Sequence, residues 1–326
     1  MHRFRTLVIP TNHRVFHALI GDFMQSTVMI AKTYGQAEVL EFANVELPPL
    51  SVGMARIKLH AAGINPIDAR RMTGEFRHAS TPQTFGTEFA GEIVEINAPA
   101  ATGASPWSLG SAVLGSGGAF THASVIDVPV GNLLAKPASM SWEVAGSLAG
   151  VAQTAMTILD EIGDVRSLLV HGASGGVGSI TVQLAKERGI NVVATASAGN
   201  QEYVRSLGAT AVVYGEGLVE RLKAVHPQPF DASIDMAGNE DATQASLATV
   251  VPGGFMGTIA GRKLSSPLIK AVWVQRNPAN LQHVVDGVAD GRFSWVVSKA
   301  YPFADAREAF TNILEGHSRG KTVLTF

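Results

Sequence analysis

The chain has 326 residues, enough for about two domains of roughly 150 residues each. With 46% hydrophobic and 16% charged residues it has ample apolar material for a core and cannot be a disordered chain. The net charge is −2 with no basic block, which argues against a nucleic-acid footprint, and the absence of cysteine excludes disulfides, thiolate catalysis and cysteine-ligated metals.

In chain order, residues 1–26 read as an added N-terminal arm, or as translation from a start upstream of Met24. From Met1 to about Phe23, Arg3, Arg5, Arg14, His2, His13 and His17 face a single acid, Asp22, without the serines of a transit peptide or the apolar run of a secretory signal. From Thr27 to Gly131 the pattern is short and β-like. Val28-Met-Ile, Val39-Leu-Glu-Phe, Ala55-Arg-Ile-Lys-Leu-His, Gly91-Glu-Ile-Val-Glu-Ile, Gly110-Ser-Ala-Val-Leu-Gly and Thr121-His-Ala-Ser-Val read as strands between Gly and Pro turns. Such a series suggests a barrel-like β domain.

The pattern then changes to strands alternating with helices. Ser141 to Asp160 reads as one helix with Ser141 as N-cap. Leu168-Leu-Val-His-Gly is a buried strand, Ser179 to Arg188 a helix, Asn191-Val-Val-Ala-Thr-Ala a strand and Gln201 to Leu207 a helix. Ala211-Val-Val-Tyr, Phe230 to Met236 and Gly254 to Ala260 are further strands. This spacing predicts an α/β, doubly wound parallel sheet. The tail, Ala304 to Glu315 as helix and Lys321 to Phe326 as strand, is expected to return to the β domain. The expected division is 1–26 as arm, 27–145 completed by 295–326 as the β domain, and 146–294 as the nucleotide domain.

The sharpest motif is Gly172-Ala-Ser-Gly-Gly-Val-Gly178, directly after a strand and at the start of a helix. Ser174, Gly175, Gly176, Val177 and Gly178 are the candidate pyrophosphate turn. Gly175 would let the backbone approach the phosphates, Gly178 would let the helix pack on the strand, and the helix N-terminus would supply free N–H groups. Ala173 stands where the usual first glycine would be. At the end of the second strand, where an NAD site carries an acid for the ribose diol, the chain has Ala196. A 2′-phosphate would meet no repulsion there, with Ser197, Arg205 and Tyr214 as its candidate partners, so NADPH is the expected cofactor. For Arg205 a solvated helix face is the alternative.

Several motifs together resemble the zinc-independent quinone oxidoreductase branch of the medium-chain dehydrogenase/reductase superfamily. They are Ala61-Ala-Gly-Ile-Asn-Pro-Ile-Asp68, Phe85-Gly-Thr-Glu-Phe-Ala-Gly91, Ser174 to Lys186, Leu207-Gly-Ala and Gly320-Lys-Thr-Val-Leu. The likeness covers about Thr27 to Phe326. It implies a GroES-like catalytic domain interrupted by a Rossmann domain, an active site in the cleft between them, a homodimer, and a small quinone or α,β-unsaturated carbonyl acceptor in a cytoplasmic enzyme with no membrane or nucleic-acid partner. Two departures stand out. Ala69-Arg70-Arg71 follows the Asn-x-x-Asp run where many members have a tyrosine, and the stretch before the glycine turn is about two residues longer. An enoyl reductase of a biosynthetic pathway and a redox-silent NADPH-binding protein are the alternative readings.

The resemblance also maps the site. Asn65 matches the first zinc ligand of metal-dependent relatives and Thr87 the histidine ligand, so no metal is expected. The Asn65 amide is the expected substitute for metal polarisation of the acceptor, its alternative being a role in the Asn-Pro turn. Asp68 either orients Asn65 or caps the next turn. Glu88 reads as a structural acid paired with a cation. Thr154 matches the family position facing the nicotinamide, and Ala260 and Gly261 match positions lining its carboxamide, unless they form an ordinary strand end. His60, His78 and His122 are candidate proton donors with a structural reading preferred.

Overall fold

The computed structural model describes residues 24–77, 80–97, 106–261, 266–316 and 319–326. Residues 1–23 of the N-terminal stretch, and His78, lie outside these. Strand β1 (Gln25–Ala31) opens the described chain, its first two residues within the stretch read as an arm, and pairs antiparallel with β2 (Leu40–Glu46). Next come β3 (Met54–Ile64), α1 (Pro66–Thr73), β4 (Gln83–Thr84), β5 (Glu88–Asn97), β6 (Ala112–Ser116), β7 (Val125–Pro129) and β8 (Leu133–Ala135). The alternation Ala55, Ile57, Leu59 in β3 turns one face inward against Phe89, Ile93, Val113 and Val128. The segment 121–124, expected as strand, instead flanks β1: Met29 N–H donates to the His122 carbonyl at 3.0 Å and Ser124 N–H to Thr27 at 2.9 Å, and the strand starts at Val125.

The expected long helix is two, α2 (Trp142–Ala145) and α3 (Ala149–Ile162). The break has a cause. The Gly146 carbonyl accepts from Gly63 N–H at 2.8 Å, and a Cβ on Gly146 would stand 2.6 Å from the Ala61 carbonyl oxygen, so the backbone leaves the helix to lie against β3.

The chain continues with β9 (Ser167–His171), α4 (Gly176–Glu187), β10 (Asn191–Ala196), α5 (Gln201–Ser206), β11 (Thr210–Val213) and α6 (Leu218–Val225). It goes on through β12 (Phe230–Asp235), α7 (Glu240–Thr249), β13 (Val250–Thr258), β14 (Lys270–Ala271) and α8 (Pro278–Ala289). Helix α4 begins three residues before the expected Ser179, because the glycine turn is its first turn. The sheet order is β11-β10-β9-β12-β13-β14, with every pairing parallel. The chain winds outward from β9 to β11, then returns to β12 beside β9. That reversal opens a crevice at the carboxyl ends of β9 and β12, where open α/β sheets take their ligands. The last elements are β15 (Val297–Pro302), α9 (Ala306–Glu315) and β16 (Lys321–Thr325). β16 pairs antiparallel with β3, so the C-terminus closes the sheet β15-β16-β3-β5-β6-β8, with β7 also on β3. The fold is a Rossmann sheet inserted in a GroES-like β domain.

Candidate active site

Each glycine of the turn has its own reason. Gly172 follows β9 with φ 78°, a left-handed conformation that side-chain-bearing residues resist. A Cβ on Gly178 would lie 2.4 Å from the Gly172 carbonyl oxygen and 2.7 Å from the Ala173 Cα, so helix and strand could not close. Gly175 has φ −75° and ψ 174°, and a Cβ there would meet only the Gly172 oxygen at 3.6 Å, an ordinary contact. The protein's own packing does not require a glycine at 175, which leaves the backbone there open to close approach by a ligand. Beside it Ser174, Gly176 and Val177 are half-buried, and the first N–H groups of α4 have no partner within the helix. The turn therefore fits a diphosphate.

At the end of β10, Ala196 is buried and no acid replaces it. The Ser197 hydroxyl accepts from Asn200 Nδ2 at 3.1 Å. The structure does not bring Arg205 to this point: its guanidinium pairs with Glu202 at 3.1 Å on the exposed face of α5. Tyr214 is near, its N–H 3.4 Å from the Ala196 carbonyl, with an exposed side chain. The cation at the β10 end is Arg319, absent from the sequence reading. Its Nε donates to Asn200 Oδ1 at 2.8 Å, its Nη2 to the Gly199 carbonyl at 3.2 Å, and it lies over the Tyr203 ring.

On the other side of the cleft the candidate residues gather into one buried network. Lys321 Nζ donates to Glu88 Oε1 at 2.7 Å, Asn65 Oδ1 at 2.6 Å and the Ile64 carbonyl at 3.1 Å. Glu88 Oε2 accepts from Gly150 N–H at 2.7 Å. Asn65 Nδ2 donates to Glu88 Oε1 at 3.1 Å and to Thr87 Oγ1 at 3.3 Å. An amide has two N–H donors, and both have partners here. The expectation that Asn65 polarises the acceptor is thereby corrected: its amide orients Thr87 and Glu88. Asp68 accepts from Asn65 N–H and from Gly86 N–H, each at 3.0 Å, and is fully buried; it secures the start of α1. The cation expected beside Glu88 is Lys321. Its ammonium sits among the side chains that match metal-ligand positions, and amide and hydroxyl groups are poor zinc donors. Among the described residues no three His, Asp or Glu side chains gather to hold a metal.

Thr87 is the group left over. It is half-buried, its Oγ1 accepts from Asn65, and its own O–H can turn toward a ligand. Thr154, one turn along α3 from Gly150, donates its hydroxyl to the Gly150 carbonyl at 2.7 Å, which leaves the oxygen's lone pairs as acceptors. Ala260 and Gly261 lie just past the end of β13, beyond the strand expected to contain Ala260. The Ala260 carbonyl accepts from the Arg70 guanidinium of α1, and Gly261, with φ 65°, faces the Phe76 ring. The stretch that departs from the family pattern thus reaches across the cleft.

Of the candidate histidines, His122 and His60 lie among the described residues. His122 is fully buried, donates from Nε2 to the Gly63 carbonyl at 3.0 Å, and burial holds its pKa below the ordinary value although Asp68 pulls it up. A buried neutral imidazole makes no ready proton donor. His60 stacks on Trp142 at 4.2 Å, with its Nε2 3.5 Å from Glu92 Oε2. Among the described residues no helix is long and apolar enough to cross a membrane.

Comparison with known proteins agrees with this geometry. An alcohol dehydrogenase GroES-like domain model matches residues 51–159 and a zinc-binding dehydrogenase model residues 207–324. The mitochondrial NAD(P)H oxidoreductase RTN4IP1 of Bos taurus is 28% identical over 92% of this chain and 90% of its own. The chloroplast envelope quinone oxidoreductase homolog of Arabidopsis thaliana is 28% identical over 89% of this chain and 95% of its own. The Escherichia coli quinone oxidoreductase complexed with NADPH superposes with a TM-score of 0.81 at 23% identity, covering 92% of this chain and all of that one. The chain belongs to the medium-chain dehydrogenase/reductase superfamily, in its zinc-independent quinone oxidoreductase branch, and is an oxidoreductase with a nicotinamide cofactor.

Proposed function

We propose that this protein uses NADPH to reduce a quinone or a related α,β-unsaturated carbonyl, without a metal ion. The observation that carries the reading is the glycine turn, where Gly175 meets nothing of its own chain that requires a glycine, at the mouth of a parallel sheet whose second strand ends without an acid. Ala196 cannot hold a ribose diol, and Arg319 brings positive charge to the same strand end, which together favour a 2′-phosphate. The nicotinamide supplies the hydride.

The protein's own part is to hold that ring against the acceptor and to stabilise the oxygen that becomes negative. Thr87 is the group we assign to that oxygen, with Asn65 fixing its orientation. Thr154 and the Ala260–Gly261 segment flank the ring pocket from α3 and from the end of β13. The Arabidopsis relative named for quinones supports that acceptor class, and a quinone is itself a doubly unsaturated carbonyl. For a homodimer, the support is the outer strand β14 of the Rossmann sheet, flanked by exposed Leu268, Trp273 and Val274. The test is cofactor oxidation with a panel of ortho-quinones, para-quinones and simple enones, run with NADPH and with NADH. Turnover with NADPH, at a lower KM than NADH, is the expected result. Tight NADPH binding without turnover on any member of the panel would leave only a binding protein.

A further inference from the structure

The dinucleotide reading places the ligand's diphosphate at Gly175 and its nicotinamide near Thr154, which belong to different elements. We propose that Lys321 ties those two parts of the site into one rigid unit and sets the spacing between them; the inference rests on that reading. Lys321 is the first residue of β16, in the β domain, and only 4% exposed. Its stem runs beneath the first helical residue of the turn: a Cβ on Gly176 would stand 2.7 Å from Lys321 Cδ and 3.2 Å from its Cγ. The backbone beside it is joined to the turn as well. Gly320 N–H donates to the Ser174 carbonyl at 2.8 Å, and Gly320 forms a parallel bridge with Gly175.

Its ammonium end points the other way. All three of its hydrogens have acceptors, on Glu88, Asn65 and Ile64. Glu88 in turn holds Gly150 N–H at the start of α3, the helix that carries Thr154. An unbroken chain of contacts therefore runs from Gly176 through Lys321 and Glu88 to Gly150 and Thr154.

A buried ion pair is a poor source of stability, since well-packed apolar residues often replace one at no loss. What this pair supplies is a fixed distance. Hydride transfer needs that distance, because a misplacement of about 1 Å can lower the rate about a hundredfold. Lys321 is thus a positioning residue for the cofactor, acting through Glu88 and the turn.

The test compares two ligands. NADPH reaches both ends of the site; 2′-phospho-ADP-ribose, which lacks the nicotinamide, reaches only the turn. The variant is the double change Lys321→Met with Glu88→Gln, which removes both charges together and leaves an amide oxygen for Gly150 N–H. Dissociation constants are read by calorimetry. The expected result is a fragment affinity within about threefold of the parent protein and an NADPH affinity weaker by about tenfold or more. Equal weakening of both ligands would mean that the change merely distorts the turn, and no weakening of either would mean no spacing role; each overturns the proposal. A parent protein that binds neither ligand would instead overturn the dinucleotide reading.

A second measurement decides the matter if the double variant fails to fold. In the parent protein, hydrogen exchange is followed with the fragment alone. The expected result is slower exchange at amides 149–154 as well as 172–179. Protection confined to the turn would overturn the proposal.

Discussion

The glycine turn and the acceptor-side network sit on opposite sides of one cleft and are built on opposite principles. In the turn, the first N–H groups of α4 have no partner within the helix, and a Cβ on Gly175 would meet nothing closer than an ordinary contact. In the network, Asn65, Asp68, Glu88 and Lys321 saturate one another, and Thr87 alone keeps a hydroxyl hydrogen to offer. The first region is shaped by what it will bind. The second is a scaffold that presents a single group.

The largest effect should come from breaking the turn where it is open. At Gly175 the backbone is extended and a Cβ meets nothing closer than an ordinary contact, so Gly175→Val should fold, yet NADPH affinity should fall about a thousandfold or more as the side chain takes the place of the phosphates. Gly178→Ala, three residues away, should do the reverse. Its Cβ collides with the Gly172 carbonyl, which costs about 1–3 kcal/mol of stability by overpacking. Calorimetric binding and urea unfolding of the two variants separate these roles. A Gly175→Val protein with unchanged NADPH affinity would place the site elsewhere.

Acid should discriminate between the regions next. His171 in β9, under the turn, lies 3.2 Å from Thr195 Oγ1 and from Ser246 Oγ, and burial lowers its pKa from 6.5 to about 4. The unfolded chain takes up the proton first as pH falls. The stability from the buried neutral ring is therefore full above pH 6.5 and lost between about 6.5 and 4, about 3 kcal/mol in all. His122, under the acceptor network, shifts the same way against the pull of Asp68 and Glu88. Urea unfolding at pH 7.5 and pH 4.5 should show a smaller acid loss in His171→Gln than in the parent. Equal losses would contradict the assignment.

Thr87→Val tests the hydroxyl assigned to the acceptor oxygen. It should lower kcat about a hundredfold, the scale of a single oxyanion donor, with little change in NADPH affinity. An unchanged kcat would remove Thr87 from the chemistry. Arg319→Ala should give the smallest change, a loss of about tenfold in NADPH affinity and almost none for NADH, because only the former carries the 2′-phosphate. Equal losses for both cofactors would move the phosphate site away from Arg319.

The same contrast explains what could be read from the sequence. The turn is local: seven consecutive residues between a strand and a helix carry its signal, as does the missing acid at Ala196. The network is not local. Lys321 and Asn65 are 256 positions apart, and nothing in Gly320-Lys-Thr-Val-Leu says where its ammonium points. Asn65 was legible as a site residue and not in its task, because the loss of a donor to internal partners shows only in three dimensions. Arg205 looked suitable by proximity in sequence; Arg319 arrives from the C-terminal segment. Helices α7 and α8 carried readable signals that the strand pattern obscured, since the Asn239 and Asn277 side chains cap them by accepting from Ala242 and Ala279 N–H.

The proposed reaction is hydride transfer from NADPH to a quinone, with Lys321, not a metal, as the cation among the matching ligand positions. The direct measurement is a single turnover. Protein freed of metal by prolonged EDTA treatment, and checked by elemental analysis, is mixed with one equivalent of NADPH and excess quinone while nicotinamide absorbance is followed. The expected result is full oxidation of NADPH at the rate of untreated protein, unchanged by added zinc. Loss of the reaction in metal-free protein, with recovery on adding zinc, would contradict it.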